Sequence, residues 1–456
     1  MTESPPPGTW RMEGLRIWTG TGTAPFAGAI EVRDGVITAV GPALPPAPGV
    51  EVLPRPGAIA LPGFVQGHIH LCQSLMRGLA EDRPLDRWLR ERIWPLEAAH
   101  DAETLRASAR VGIAEALLHG TTTLVDMGTV HGNDTLAEVA AAMGVRAILG
   151  KALMDVGDGV PPALCQPPDV ALAEALALHA RWHGAAGGRL HVALAPRFTL
   201  SVSPDLWAQI AAAARERDLL IHTHVSETPW ENETCRAMHG GSPLEVLERW
   251  GVLAARTLLV HAIWLEAADR DRLRGRRAGF VHCPGSNAKL GSGIADVASW
   301  VADGIPVALG SDGAACNDAL SPLAEMRLAA QLQALRHGPG RVPAQAVVAM
   351  ATHDGARAIG LDAEIGSLEV GKRADLVLFR EADLGWEEDL PIEHALVFGA
   401  ADIRPAEVYV DGRPRVRDAC LVDEEFEEIR RDATAARRDL LARLDRGNEA
   451  WRYPSS

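Results

Sequence analysis

His68 and His70 stand one residue apart in LPGFVQGHIHLCQ, at the mouth of an apolar run. Side chains two apart on a β-strand point to the same face, so imidazoles at this spacing can aim at one point. Taken alone the pair says little, because two core histidines bonded to backbone carbonyls fit the same pattern. Three further apolar runs end in the same way. LLIHTHVSE adds His222, His224 and Glu227, LLVHAIW adds His261, and VALGSDGAACN adds Asp312. If each run is a strand, each polar residue lies where the strand ends, and four such placements are harder to dismiss than one.

Three neutral imidazoles, from His68, His70 and His224, and the carboxylate of Asp312 form a donor set suited to one divalent cation with a position open for water. Zn²⁺ is the first expectation and Fe²⁺ the second, since the donors alone do not decide between them. Such an ion makes hydroxide available near neutrality, which is a hydrolytic design. Asp312 can also accept a hydrogen bond from the water. Glu227, three residues beyond His224, can enter from the side as a proton carrier. It can take the water proton, pass it to a ring nitrogen of an aromatic substrate, and help an amino group leave as ammonia. His261 can hydrogen-bond the attacking oxygen.

Bringing these residues together requires a scaffold that presents strand ends on one rim. Between residues 61 and 360, strand-like runs alternate with helical stretches: FVQGHIH, TTTLVDM, VRAILGKAL, LHVALAPRF, LLIHTHVS, TLLVHAI, AGFVHCP and IPVALGS. Eight such runs, and the lack of GxGxxG after the first, fit a (β/α)8 TIM-type barrel of the α/β class better than a doubly wound sheet. Residues 1–60 and 361–424 read as short strands and turns, so the barrel is expected to be inserted into a small discontinuous β-sandwich module. Residues 425–456 read as a C-terminal helix and tail.

Composition narrows the partners. Sixty acidic residues against 45 basic ones give a net charge of −15, which disfavours a nucleic-acid partner and an anionic lipid surface. The N-terminus has no signal-peptide pattern, and no apolar run approaches the roughly 20 residues that cross a bilayer. The expectation is a cytoplasmic protein with no membrane association. The six cysteines form no CxxC pair and read as free thiols. Cys72 and Cys316 would be redundant as nucleophiles beside a metal-activated water.

The ordered segments PGFV…HIH, HGTTTLVDM, HTHVSET, HCPGSNAKLGSG, GSDGAACN and GSLEVGKRADLVLF span nearly the whole chain. Together they resemble the amidohydrolase superfamily, in particular its aminohydrolase and chlorohydrolase branch. The resemblance implies one metal held by His68, His70, His224 and Asp312, with Glu227 and His261 completing the reaction centre. It also implies pocket residues. Glu97, at the end of WPLE, matches a residue that accepts the two hydroxyls of a ribose, and Trp88 matches one that covers the substrate ring; without the resemblance both read as parts of a solvated helix. Gln73 and Arg197 match positions that guanine-type deaminases use against the heterocycle. Lys151 stands where relatives carry an arginine that reaches an amino-acid carboxylate, and it keeps the charge without the bidentate fork. In HCPGSNAKLGSG, His282 reads as structural and Lys289 as a loop contact.

The expected activity is metal-dependent deamination of a small heterocyclic substrate, an adenine nucleoside of adenosine or 5'-deoxyadenosine type. The alternatives are a guanine-type deaminase, an s-triazine aminohydrolase or a chlorohydrolase, and a metal-binding scaffold without catalysis. A homodimer is expected by resemblance.

Overall fold

The computed structural model describes residues 8–447 apart from 47, 386, 388 and 389, with 445–447 described by backbone alone. The ends of the expected first and last segments, residues 1–7 and 448–456, lie outside the described residues. Eight parallel strands close into a barrel: Phe64–His70, Thr121–Asp126, Arg146–Leu153, Leu190–Pro196, Leu220–Val225, Arg256–His261, Ala278–His282 and Val307–Leu309. Leu309 closes the ring by pairing with Gln66. A two-residue strand, Asp312–Gly313, then continues along the first strand and sets Asp312 opposite Ile69 and Gly313 opposite His70. All eight apolar runs read from the sequence are strands of this barrel.

Alternation along the strands divides two apolar layers. Val65, Val125, Ile148, Ala193, Val260, Val281 and Ala308 fill the barrel interior. Phe64, Leu124, Leu149, Leu194, Leu259, Phe280 and Leu309 face the surrounding helices. Among those helices Ala102–Leu118 begins at Asp101, whose side chain accepts from Thr104 N while Thr104 Oγ1 accepts from Asp101 N. The C-terminal helix, Phe426–Gly447, packs along it and buries Ile429, Ala433, Leu440 and Leu444.

The first strand breaks its own alternation. Gln66 pairs with Leu124 and Ile69 with Asp126, so three steps on one strand match two on its neighbour. This bulge re-aims the side chains that follow. Gly67 faces the interior before it, where an added Cβ would lie 2.6 Å from Ala308 Cβ. His68 and His70 face the interior after it, and Ile69 joins the helix-facing layer. A strictly alternating strand would carry Val65 inward and both histidines outward.

The flanking segments build one open eight-stranded sheet. N-terminal and C-terminal strands meet where Leu376–Arg380 runs antiparallel to the end of Glu51–Pro62. The sheet curls until its halves face each other: the Trp10 and Tyr409 rings lie 5.5 Å apart, and Trp10 Nε1 donates to Gly412 O. Met12, Ile17, Ile30, Leu376 and Leu378 fill the enclosed core. Among the described residues, no helix is long and apolar enough to cross a membrane.

A buried charge cluster joins barrel and sheet. Arg146, the first residue of the third barrel strand, donates from Nε to Asp375 Oδ2 at 2.8 Å and from Nη2 to Asp375 and Asp411. Burial pushes the Asp411 carboxyl up, but the hydrogen bond from Arg373 and the charge of Arg146 outweigh it and hold the group below the usual carboxylate range. A carboxyl depressed in the folded state contributes stability that is full above its unfolded pKa and is lost as pH falls through the folded value. Arg146→Ala, which removes the guanidinium from buried Asp375 and leaves Asp411 with Arg373 alone at hydrogen-bond distance, is expected to cost about 3–5 kcal/mol in urea unfolding at neutral pH. Repeating the measurement toward about pH 3 should show the difference between variant and unaltered protein shrinking; an equal difference at both ends would contradict this reading.

Candidate metal centre and active site

The polar residues at the strand ends converge on the barrel axis. His68 Nε2 and His70 Nε2 lie 3.3 and 3.4 Å from the same oxygen, Asp312 Oδ1. The His68 ring centroid is 4.7 Å from that of His70 and 4.9 Å from that of His224. Donor atoms of His68, His70 and Asp312 fall within 4.8 Å of one another, as do those of His68, His224 and His261. His224 keeps an edge open to the cavity, while His68, His70, His261 and Asp312 are buried.

Hydrogen bonds behind each ring fix which nitrogen faces the centre. His224 Nδ1 donates to Arg197 O at 2.7 Å and so leaves Nε2 as the free donor atom. His68 Nδ1 pairs with His222 Nε2 at 2.9 Å, and its fully buried Nε2 has no hydrogen-bond partner. His261 Nδ1 bonds Asn287 Oδ1 at 2.9 Å, and its Nε2 faces Glu227 Oε2 at 3.6 Å and Asp312 Oδ2 at 3.8 Å. Asp312 accepts from Ser286 Oγ and from Gly313 N, each at 2.7 Å. Burial pushes the imidazoles of His70, His222 and His224 well down, which keeps them neutral. Burial opposes ionisation of Asp312, yet His68 beside it and the neighbouring imidazoles hold it well below the usual range. Neutral imidazoles, an ionised carboxylate and an orphaned buried nitrogen make a cluster that fits a divalent cation.

The backbone bends sharply where these side chains leave their strands. Ser226, His261, Ala262 and Asp312 take φ values of +49°, +69°, +47° and +60°. Each left-handed residue costs on the order of 1–3 kcal/mol, which the surrounding packing must offset. Such bends accompany the inward turn of His261, the last paired residue of its strand, and of Asp312, the first residue of the two-residue strand.

A narrow cavity opens at the cluster. Glu227, Glu231, His261 and Asp312 line one side, and Leu85, Trp88, Leu89, Phe198 and Leu290 form apolar walls around it with Arg197. Burial pushes the Glu227 carboxyl up, against the pull of His261. Ser292 Oγ donates to Glu227 Oε1 at 3.1 Å, and Glu227 N donates to Glu231 Oε2 at 2.8 Å.

The remaining expected pocket residues divide. Arg197 donates from both terminal nitrogens to the two oxygens of Glu97, Nη2 at 3.1 Å, and Gln73 Nε2 donates to Glu97 Oε1 at 3.0 Å. Both Glu97 oxygens are therefore engaged by protein donors. Lys151 is displaced from the position expected of a substrate contact. It shares the outward parity of Leu149 and Leu153 on the third strand, and its Nζ lies 2.6 Å from Gln166 Oε1 and 3.5 Å from Glu174 Oε2. Burial lowers the ammonium's pKa to about 8, and the residue lines a separate cavity with His131 and Asp134. Lys289 ties Glu81 to Asp318 across two loops. Burial pushes the Cys72 and Cys316 thiols well up, which leaves them unreactive.

Several contributors carried no role in the sequence reading. His222 orients His68, Glu231 holds the backbone of Glu227, and HCPGSNAKLGSG supplies Ser286, Asn287 and Ser292 to three different site residues. The GSN and GSG triplets were the available signal: small hydrogen-bonding residues next to glycine in a loop at the active rim. His282, in the same segment, is buried with its ring 6.5 Å from Trp300. His222→Ala should lower metal affinity by about 10–100-fold, read by competition with a chelator; unchanged affinity would show that His68 needs no partner to hold its ring.

Comparison with known proteins agrees with this geometry. The model of the amidohydrolase family matches residues 59–415. A 5-methylthioadenosine/S-adenosylhomocysteine deaminase of Desulforudis audaxviator is 36% identical over 421 residues, covering 91% of this chain and 95% of that protein. An 8-oxoguanine deaminase of Pseudomonas aeruginosa is 35% identical over 428 residues, covering 91% and 94%. The crystal structure of an adenosine deaminase from Xanthomonas campestris with bound zinc superposes with a TM-score of 0.88 at 30% identity, covering 96% of this chain and all of that one. Fold, metal cluster and sequence together make this chain a member of the amidohydrolase family, in the branch that contains deaminases of adenine-type nucleosides.

Proposed function

We propose that the chain deaminates an adenine nucleoside, adenosine or a 5'-deoxyadenosine, by attack of water on the amino-bearing ring carbon. The observation that carries this reading is the meeting of Glu227, His261 and Asp312 with the histidine cluster in a cavity that Leu85, Trp88, Leu89, Phe198 and Leu290 also line. A divalent cation held by His68, His70, His224 and Asp312 would supply Lewis-acid activation of that water. Asp312 Oδ2 and His261 Nε2, 3.8 Å apart, flank the place from which the water attacks. Glu227 takes its proton on Oε2 and delivers it to the ring nitrogen beside the attacked carbon, a task that suits a carboxyl whose pKa burial has raised. Glu227, ionised again, then takes the proton of the newly added hydroxyl and passes it to the amino group, which departs as ammonia as the carbonyl forms. His261 Nδ1 donates to Asn287 Oδ1, which leaves Nε2 to accept a hydrogen bond from the attacking water. Trp88, Phe198, Leu85 and Leu290 flank a flat ring and exclude bulk water.

One observation favours a second reading, a guanine-type oxopurine. Arg197 lines the cavity with its charge neutralised by Glu97, and Gln73 bonds the same carboxylate. A ribose diol would have to displace these donors from Glu97, whereas a carbonyl or ring nitrogen could use Arg197 where it stands. The near-equal identities to the two relatives do not choose between these substrates.

Ammonia release measured on adenosine, 5'-deoxyadenosine, guanine, 8-oxoguanine and an aminotriazine, with chloride release from a chlorotriazine, separates the readings. The nucleosides are expected to give the highest kcat/KM; turnover of oxopurines alone would replace the first reading with the second. Glu227→Gln is expected to lower kcat by about 10²–10⁴-fold while metal content stays unchanged, and a variant that retains full turnover would remove Glu227 from the mechanism.

A further inference from the structure

We propose that Ser292 is a positioning residue of the reaction centre: it holds the Glu227 carboxylate by Oε1 so that Oε2 is the oxygen that receives and delivers the proton. The proposal rests on the hydrolytic role given to Glu227 above and does not depend on which heterocycle is the substrate.

A glutamate reaches into the cavity on three rotatable bonds, and its carboxylate must be aimed for proton transfer. Two contacts aim this one. Glu231 Oε2 accepts from Glu227 N and fixes where the side chain starts, and the buried Ser292 hydroxyl donates to Oε1 at 3.1 Å and fixes how it ends. The other oxygen then faces His261 Nε2 at 3.6 Å. The donor's chemistry matters. An arginine or lysine at this place would hold the carboxylate ionised and unfit to carry a proton. A hydroxyl bonds Oε1 without adding charge and does not compete for the transferred proton at neutral pH.

The serine is itself held with unusual care for a loop residue. Its carbonyl accepts from Trp264 Nε1 at 2.7 Å, and its own N donates to Asn287 O at 2.9 Å. Trp264 is anchored in turn, its N donating to Ser226 O and its O accepting from Asn232 Nδ2. Gly291 and Gly293 on either side take φ of +65° and +126°, and a Cβ on Gly293 would come within 3.0 Å of Ile263 Cγ2. The sequence LGSG thus presents one hydroxyl between two residues whose backbone favours glycine. Asn287, four residues before Gly291, bonds His261 through its side chain. A single segment therefore aims both the proton carrier and the histidine opposite it.

Ser292→Ala, Ser292→Thr and Trp264→Phe test the proposal on whichever substrate the unaltered enzyme turns over, so that a wrong substrate assignment leaves the comparison intact. For Ser292→Ala, kcat is expected to fall about tenfold or more, with KM within about twofold and with metal content and Tm unchanged. Ser292→Thr, which restores the hydroxyl, should recover most of kcat. Trp264→Phe, which removes only the indole donor, should lower kcat by less than Ser292→Ala. In a crystal structure of Ser292→Ala, Glu227 Oε2 should no longer face His261 Nε2. Wild-type kcat in Ser292→Ala, a loss that appears only in KM, a threonine variant no better than alanine, or an unmoved Glu227 carboxylate would each overturn it.

Discussion

Closure of the barrel is the constraint on which the rest depends. The chain returns from Val307–Leu309 to pair with its first strand, and the extension of that pairing sets Asp312 against Ile69 and Gly313 against His70. A carboxylate and two imidazoles from opposite ends of the barrel domain are thereby forced into contact in a buried site. Left to itself such a cluster is costly, because burial disfavours the charge on Asp312. The neighbouring imidazoles and the donors Ser286 and Gly313 offset that cost in part. A divalent cation held there would complete the balance, because His68 Nε2 has no hydrogen-bond partner and the Asp312 carboxylate is ionised.

Strain and hydrogen bonding divide the work of aiming. Left-handed backbone at His261 and Asp312 turns these residues into the cavity. A ring of neutral partners, His222, Asn287 and the carbonyl of Arg197, then selects which imidazole nitrogen looks inward. Arg197 contributes in two ways: its carbonyl orients His224, and its guanidinium faces Glu97 at the cavity wall.

Much of this was legible in the sequence because it follows from short-range pattern. Apolar runs marked the eight strands, and polar residues at their ends marked the rim. The metal cluster was suggested by histidines and an aspartate at strand ends, and its four members by the resemblance to the amidohydrolase superfamily. What could not be read depends on register and on pairing at a distance. Simple alternation does not reveal the bulge between Gln66 and Ile69, although it decides that His68 and His70 face inward. Parity decides Lys151 too: one step from Gly150, it points to the helix layer and meets Gln166. Glu97 and Arg197 carry suitable chemistry for substrate as separate residues, and only the fold shows that each satisfies the other. Ser286, Asn287 and Ser292 looked like loop residues because their function lies in partners contributed by other strands and loops.

The central claim is that one cation, held by His68, His70, His224 and Asp312, supports hydrolytic release of ammonia. Adding Zn²⁺ stepwise to metal-free protein while following ammonia release tests it most directly. The account predicts that activity starts near zero, rises in proportion to added metal and levels off at one equivalent per chain, and that Asp312→Ala shows no such rise. Full activity in the metal-free protein, or an unchanged titration in Asp312→Ala, would contradict it.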